Sequence, residues 1–164
     1  MKSLLLIRHA KSDWVNLNLK DFDRPLNERG KKDAPTMAKR IRDKNIVIDA
    51  FISSPAKRAA KTAGYFAEIF KLKKGDIIFQ AVLYMADPSV FNKVIAATDD
   101  TYNTIAVFSH NNGITDFVNM LTDIRIDNMP TCGVFAIKAH CEKWHEFKDC
   151  KKEFWFFDYP KLMQ

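Results

Sequence analysis

Two apolar runs in the chain stop abruptly on polar residues. "LLLI" at residues 4–7 meets Arg8 and His9 directly, and "IAVF" at 105–108 meets Ser109 and His110. Short continuous apolar runs of this kind read as strands buried on both faces. The pattern predicts a first strand over residues 3–8, a second in "IDAFISSP" (48–55), a short third in "DIIFQ" (76–80) and a fourth in "NTIAVFSH" (103–110). "CGVFAIKAH" (132–140) and "EFWFFDYP" (153–160) read as closing strands, joined by a connection containing Trp144 and Phe147.

Helical patterns fill the spaces between. After a polar loop through "NLNLKDFDRPL", Asn27 is a natural N-cap for a helix running to about residue 44. Pro35 lies inside that helix and should kink it or delay its start. "AKRAAKTAGYFAEIFK" (56–71) is alanine-rich with periodic apolar positions, and Asp87-Pro88 opens a third helix with proline at its first position. "NNGITDFVNMLTD" (111–123) reads as a fourth. Strands alternating with helices predict an α/β fold: a single three-layer α/β/α domain over residues 1–164, with a mostly parallel central sheet. The last strand is reached by a short connection and is expected to be antiparallel.

Composition narrows the class without naming a function. The 164 residues are 47% apolar and 28% charged, so disorder is not expected. The formal net charge of +6 favours anionic partners, yet the basic residues are spread over helix faces such as "KKDAPTMAKRIRDK". A nucleic-acid binder would concentrate them in a stripe with stacking aromatics, so no nucleic-acid partner is expected. The first apolar run is too short for a signal peptide and none approaches a membrane span. Cys132, Cys141 and Cys150 form no CxxC pair, and a disulfide framework is not expected. His140 and Cys141 are adjacent and point apart in an extended segment, so a metal site there is not expected either. A cytoplasmic location fits these features.

In a parallel sheet, ligands bind beyond the carboxyl ends of the strands. The first strand ends in Arg8-His9, "SSPAKRAAKT" places Arg58 early in a helix after the second, and the fourth ends in Ser109-His110 before Asn111, Asn112 and Gly113. Parallel strands would bring two arginines and two histidines to one edge. Guanidinium forks match phosphate oxygens, neutral imidazole is a nucleophile, and a helix start beyond His110 would add N–H donors. Phosphoryl transfer suits such a set. Singly, Arg8 and His9 read as strand-end residues, Arg58 as a helix-surface residue, and His110 as a core residue.

"LLLIRHAKSDW", "DFDRPLNERG", "FISSPAKRAAKTA", "VFSHNNGI" and the "MPTCGV" segment, in that order, resemble the histidine phosphatase superfamily, which includes the phosphoglycerate mutases. The resemblance is greatest to its small SixA-type phosphohistidine phosphatases. It implies His9 as the nucleophile accepting the phosphoryl group, with Arg8, Arg58 and His110 holding its oxygens and the transition-state charge. Water would hydrolyse the intermediate and release inorganic phosphate, with no cofactor or metal. Arg24 matches a region bordering the family's pocket, or lies on the surface. Asn111 is a substrate contact or part of a helix cap, and Thr62 packs its helix.

Many superfamily members carry an acid after the third strand to protonate an alcohol leaving group. Here only Asp87 stands in "VLYMADPSVF", directly before Pro88, where a helix N-cap is the default role, and Asp13 is a second candidate. Lack of a strong acid would suit cleavage of an N-phosphorylated imidazole, and the short chain leaves little room for a lid. The resemblance therefore implies a phosphatase acting on phosphohistidine in a protein. A general phosphatase of small phosphorylated substrates is the enzyme alternative. A non-catalytic phosphoprotein-binding module using the same arginines is the alternative of another class.

Overall fold

The apolar run that opens the chain forms β1 (Lys2–Arg8), in which Leu4, Leu5, Leu6 and Ile7 are all fully buried. Successive side chains point to opposite faces, so a strand without polar alternation needs cover on both sides. Leu4 and Leu6 pack with Phe91, Ile95, Ile114 and Phe117, from α3 (Pro88–Ala96) and α4 (Gly113–Val118). Leu5 and Ile7 pack on the other face with Met37, Ile41, Ala63 and Phe66, from α1 (Glu28–Arg42) and α2 (Lys57–Ile69). This computed structural model describes residues 1–162, so residues 163 and 164 of the predicted span lie outside the described residues.

The other strands are β2 (Ala50–Ser53), β3 (Ile78–Phe79), β4 (Thr104–Ser109), β5 (Val134–Ala139) and β6 (Lys152–Asp158). One six-stranded sheet has the order β3–β2–β4–β1–β5–β6. β1, β2, β3 and β4 are mutually parallel, and the register of β1 with β4 sets Arg8 opposite Ser109. β6 joins β5 antiparallel, as the short connection predicts, and β5 is itself antiparallel to β1. The sheet is therefore mostly parallel with an antiparallel flank, in an α/β/α sandwich. No helix among the described residues is long and apolar enough to cross a membrane.

Local expectations are met with some corrections. Asn27 caps α1 by accepting from the Gly30 N–H at 2.8 Å, and the helix runs from Glu28 through Pro35 without the delayed start that proline suggested. Gly30 is needed for close approach, because a Cβ there would stand 2.2 Å from the Lys11 carbonyl oxygen. α4 is far shorter than the predicted 111–123. The Asn119 side chain donates to the Ile126 carbonyl (2.9 Å) and accepts from the Ile126 N–H (2.8 Å), tying the returning chain to the helix end. The dipole expected behind His110 is correspondingly small, since the helix starts only at Gly113.

Phe108 on β4 is fully buried, edge-on to both Phe51 (5.7 Å) and Phe66 (5.3 Å). Phe108→Ala should cost about 3–5 kcal/mol of stability, read from urea unfolding. A loss below about 1 kcal/mol would show that the α1–α2 face does not depend on it.

Candidate functional site

The parallel tips of β1, β2 and β4 meet at a cavity of about 290 Å³ lined by Arg8, His9, Asp21, Arg24, Arg58 and His110, among others. The segment after β1 is fixed by backbone bonds from the His9 N–H to the Ser109 carbonyl (3.1 Å) and from the Cys132 N–H to the His9 carbonyl (3.0 Å). Thr62 on α2 is buried; its hydroxyl accepts from the Ala10 N–H (3.0 Å) and donates to the Arg58 carbonyl (2.8 Å). It ties the segment carrying His9 to the helix carrying Arg58.

The hydrogen bonds of His9 define its tautomer. Nδ1 lies 2.7 Å from the Ala10 carbonyl, which only accepts, while Nε2 lies 3.3 Å from the Arg58 Nε–H, which only donates. The proton therefore resides on Nδ1 and the lone pair on Nε2 faces the arginine. His110 stands 5.1 Å away, ring centre to ring centre; its Nε2 bonds the Ser54 hydroxyl (2.8 Å), and its Nδ1 is buried without a partner. Desolvation above all pushes both imidazoles down to about 3, with Arg58 and Arg8 adding repulsion in each case. Both rings are neutral near pH 7.

Arg8 donates through Nη1 to the Met129 carbonyl (2.8 Å) and has a buried, unpartnered Nε. Burial and the nearby Arg58 lower its pKa. Arg58 donates through Nη1 to the Asp21 carbonyl (2.6 Å) and through Nη2 to the Asp21 carboxylate (3.0 Å). The same carboxylate accepts from the Tyr84 hydroxyl (2.6 Å) and pairs with Arg24, whose guanidinium lies 3.4 Å from the centre of the Trp14 ring. Burial works to raise the Asp21 pKa, but the bonds from Tyr84 and Arg58 and the charge of Arg24 together hold it below the ordinary carboxylate value.

Of the residues predicted from the sequence, His9, Arg8, Arg58, His110, Arg24 and Asn111 line this cavity. Asn111 accepts from the Thr115 hydroxyl (2.6 Å) and donates to Asn128 (2.5 Å), so it braces the far wall. The two candidate acids are not among the lining residues. Asp87 is exposed and caps α3, accepting from the Val90 N–H (3.0 Å) and the Ser89 hydroxyl (2.7 Å). Asp13 accepts from the Val15 N–H (2.8 Å) in its own turn. Asp21 and Tyr84 were not foreseen; the only hint was the spacing of Asp21 three residues before Arg24 in "DFDRP". Among the described residues, no three His, Cys, Asp or Glu side chains gather into a metal-holding group.

Two measurements test this electrostatic picture. Unfolded, each histidine titrates near 6.5, whereas the folded values are about 3. Between those values the unfolded chain binds more protons. The associated stability is complete above pH 6.5 and is lost as pH falls towards 3, by up to about 1.4 kcal/mol per pH unit for each ring. Urea unfolding from pH 7 to 5 should show this decline, with a shallower slope in His110→Asn. A slope that His110→Asn leaves unchanged would contradict it. Tyr84, whose phenol is raised chiefly by its bond to Asp21, should return towards about 10 in Asp21→Asn. Absorbance titration against Tyr84→Phe reads the change, and an unmoved phenol would refute the link.

Comparison with known proteins places the geometry in context. Residues 4–76 match the model of the histidine phosphatase superfamily (branch 1). An uncharacterised chloroplastic protein of Arabidopsis thaliana is 26% identical over 153 residues, covering 88% of this chain and 70% of that protein. Among solved structures, the protein histidine phosphatase SixA complexed with tungstate superposes with a TM-score of 0.84 at 17% identity, over 99% of each chain. SixA from Agrobacterium tumefaciens gives 0.80 at 23% identity, over 97% of this chain and 98% of that one. Residues 4–76 are thus similar to the histidine phosphatase superfamily (branch 1), and the chain shares the fold of the SixA structures along its whole length.

Proposed function

We propose that the chain is a phosphatase in which His9 carries the phosphoryl group and whose substrate is phosphohistidine in a protein. The observation that supports this best is the His9 tautomer, with Nδ1–H bonded to Ala10 and the Nε2 lone pair facing Arg58 at 3.3 Å. In the first step Nε2 attacks phosphorus and the bond from phosphorus to the leaving nitrogen breaks. The leaving imidazole takes up a proton from solvent. Water then attacks the phosphorus on His9, the P–Nε2 bond breaks, and inorganic phosphate departs with the neutral ring restored. Arg8, Arg58 and the free Nδ1 of His110 hold the phosphoryl oxygens as their charge develops.

The substrate class is argued from proton supply. Among the described residues, Asp21 is the only carboxylate lining the cavity, and its partners keep it ionised, so it is a poor acid for an alkoxide leaving group. An imidazole departs without such help. The names of the SixA structures agree with this reading.

The test is phosphate release, without added metal, from a phosphohistidine-bearing carrier protein and from p-nitrophenyl phosphate. Wild type should prefer the carrier, His9→Ala should abolish release, and Arg58→Ala should lower turnover about 10²–10³-fold while remaining folded by circular dichroism. Rapid alkaline quench should trap an acid-labile phosphate on His9. Preference for the ester would overturn the substrate class and make this a phosphomonoesterase. Binding without turnover that survives His9→Ala would replace the enzyme with a phosphoprotein-binding module.

A further inference from the structure

A second cavity of about 400 Å³ adjoins the first, sharing Arg8, Lys11 and Thr131 with it. Its remaining walls come from elements unrelated to the proposed chemistry. Arg29 projects from the first turn of α1, Asn128 and Pro130 come from the loop before β5, and Lys161 follows β6. Among the described residues, four cationic side chains line it and no carboxylate does. The ion-pair partner of Arg29 is Asp33, 3.4 Å away along the same helix and outside the lining.

Lys11, Arg29 and Lys161 are exposed, but the backbone that carries them is fixed by specific contacts. Arg40 on α1 pairs with the buried Asp158 and donates to the Pro160 carbonyl (3.3 Å), fixing the segment that carries Lys161 against the helix that carries Arg29. Asn27 donates to the Lys11 carbonyl (3.0 Å), and Gly30 packs directly on it, which fixes the Lys11 backbone. Arg8 forms the wall between the cavities, with its Nη1 on Met129 and its buried Nε unpartnered. One concave surface of a single sign focuses potential well beyond what scattered lysines would.

We propose that this cavity is a second anion subsite, taking a carboxylate or phosphate carried by the same molecule whose phosphoryl group enters the His9 cavity. The inference rests on the His9 cavity being a phosphate site, as in the proposed function, but not on turnover. Two sources share the required chemistry: an acidic side chain flanking a phosphorylated residue, or the second phosphate of a bisphosphorylated small molecule.

Binding is measured by calorimetry, so that a failure of catalysis and a failure of the subsite can be told apart. The probes are alkylphosphonates paired with ω-phosphonoalkanoates and α,ω-bisphosphonates of matched and increasing length, and non-hydrolysable phosphohistidine peptides with Asp or Ala flanks. At one length the second anion should tighten binding about tenfold. Arg29→Gln with Lys161→Gln, away from the His9 cavity, should erase that gain while leaving simple alkylphosphonate binding unchanged and the fold intact by thermal melt. A gain seen only with the Asp-flanked peptide would support the subsite with a protein acid as its ligand. A gain only with bisphosphonates would support it with a small molecule. Equal affinity for every pair, or a gain that survives the double variant, would overturn the subsite.

Discussion

The guanidinium groups of Arg8 and Arg58 share one pocket with that of Arg24, and the repulsion between the first two bears on what else the pocket contains. Burial and the charge of Arg58 both work against Arg8. The Asp21 carboxylate offsets part of that cost by bridging Arg58 and Arg24, and Tyr84 holds the carboxylate in turn. Burial above all, with the same field adding repulsion, keeps the histidines neutral. A neutral His9 with a free lone pair is what nucleophilic attack on phosphorus requires, and a positive wall is what draws phosphate in. Under the proposed chemistry one arrangement of charge would supply both, and no separate base would be needed to unmask the nucleophile.

That arrangement depends on topology before it depends on side chains. Arg8 and His110 reach the same cavity because β1 and β4 are parallel neighbours in a register that sets Arg8 opposite Ser109. Arg58 joins them because β2 lies on the other side of β4 and hands the chain to α2 at the same edge. An antiparallel β4 would have sent His110 to the opposite end of the sheet.

This logic explains what the sequence could reveal. Leu4–Ile7 and Ile105–Phe108 announce buried strands through a local pattern, and the alternation of strands with helices announces parallel pairing. The positions of Arg8, His9, Arg58 and His110 follow from those two facts. Asp21 and Tyr84 were illegible because they matter only through each other and through Arg58, across sequence separations of 63 and 37 residues, and both sit in 3-10 turns too short to show a periodic pattern. The early end of α4 was hidden for a similar reason, since the Asn119 side chain becomes a stop only when Ile126 folds back to meet it. The segment after β6 read as the end of a strand, and nothing local set Lys161 beside Arg29.

The two cavities would impose selectivity at different stages under the proposed chemistry. Electrostatic attraction ranks ligands by charge and is indifferent to the bond that will break, so the arginines cannot by themselves separate phosphohistidine from a phosphate ester. That separation falls on the transition state. An ester must expel an alkoxide with Asp21 held ionised and Asp87 and Asp13 engaged elsewhere, whereas an imidazole leaves without a side-chain acid. Discrimination between leaving groups would therefore register in kcat. Contacts in the second cavity are made equally before and during reaction, so discrimination between acidic and neutral surroundings of the phosphate would register in KM. The cationic wall at Arg8, common to both cavities, is the point at which those two selections meet.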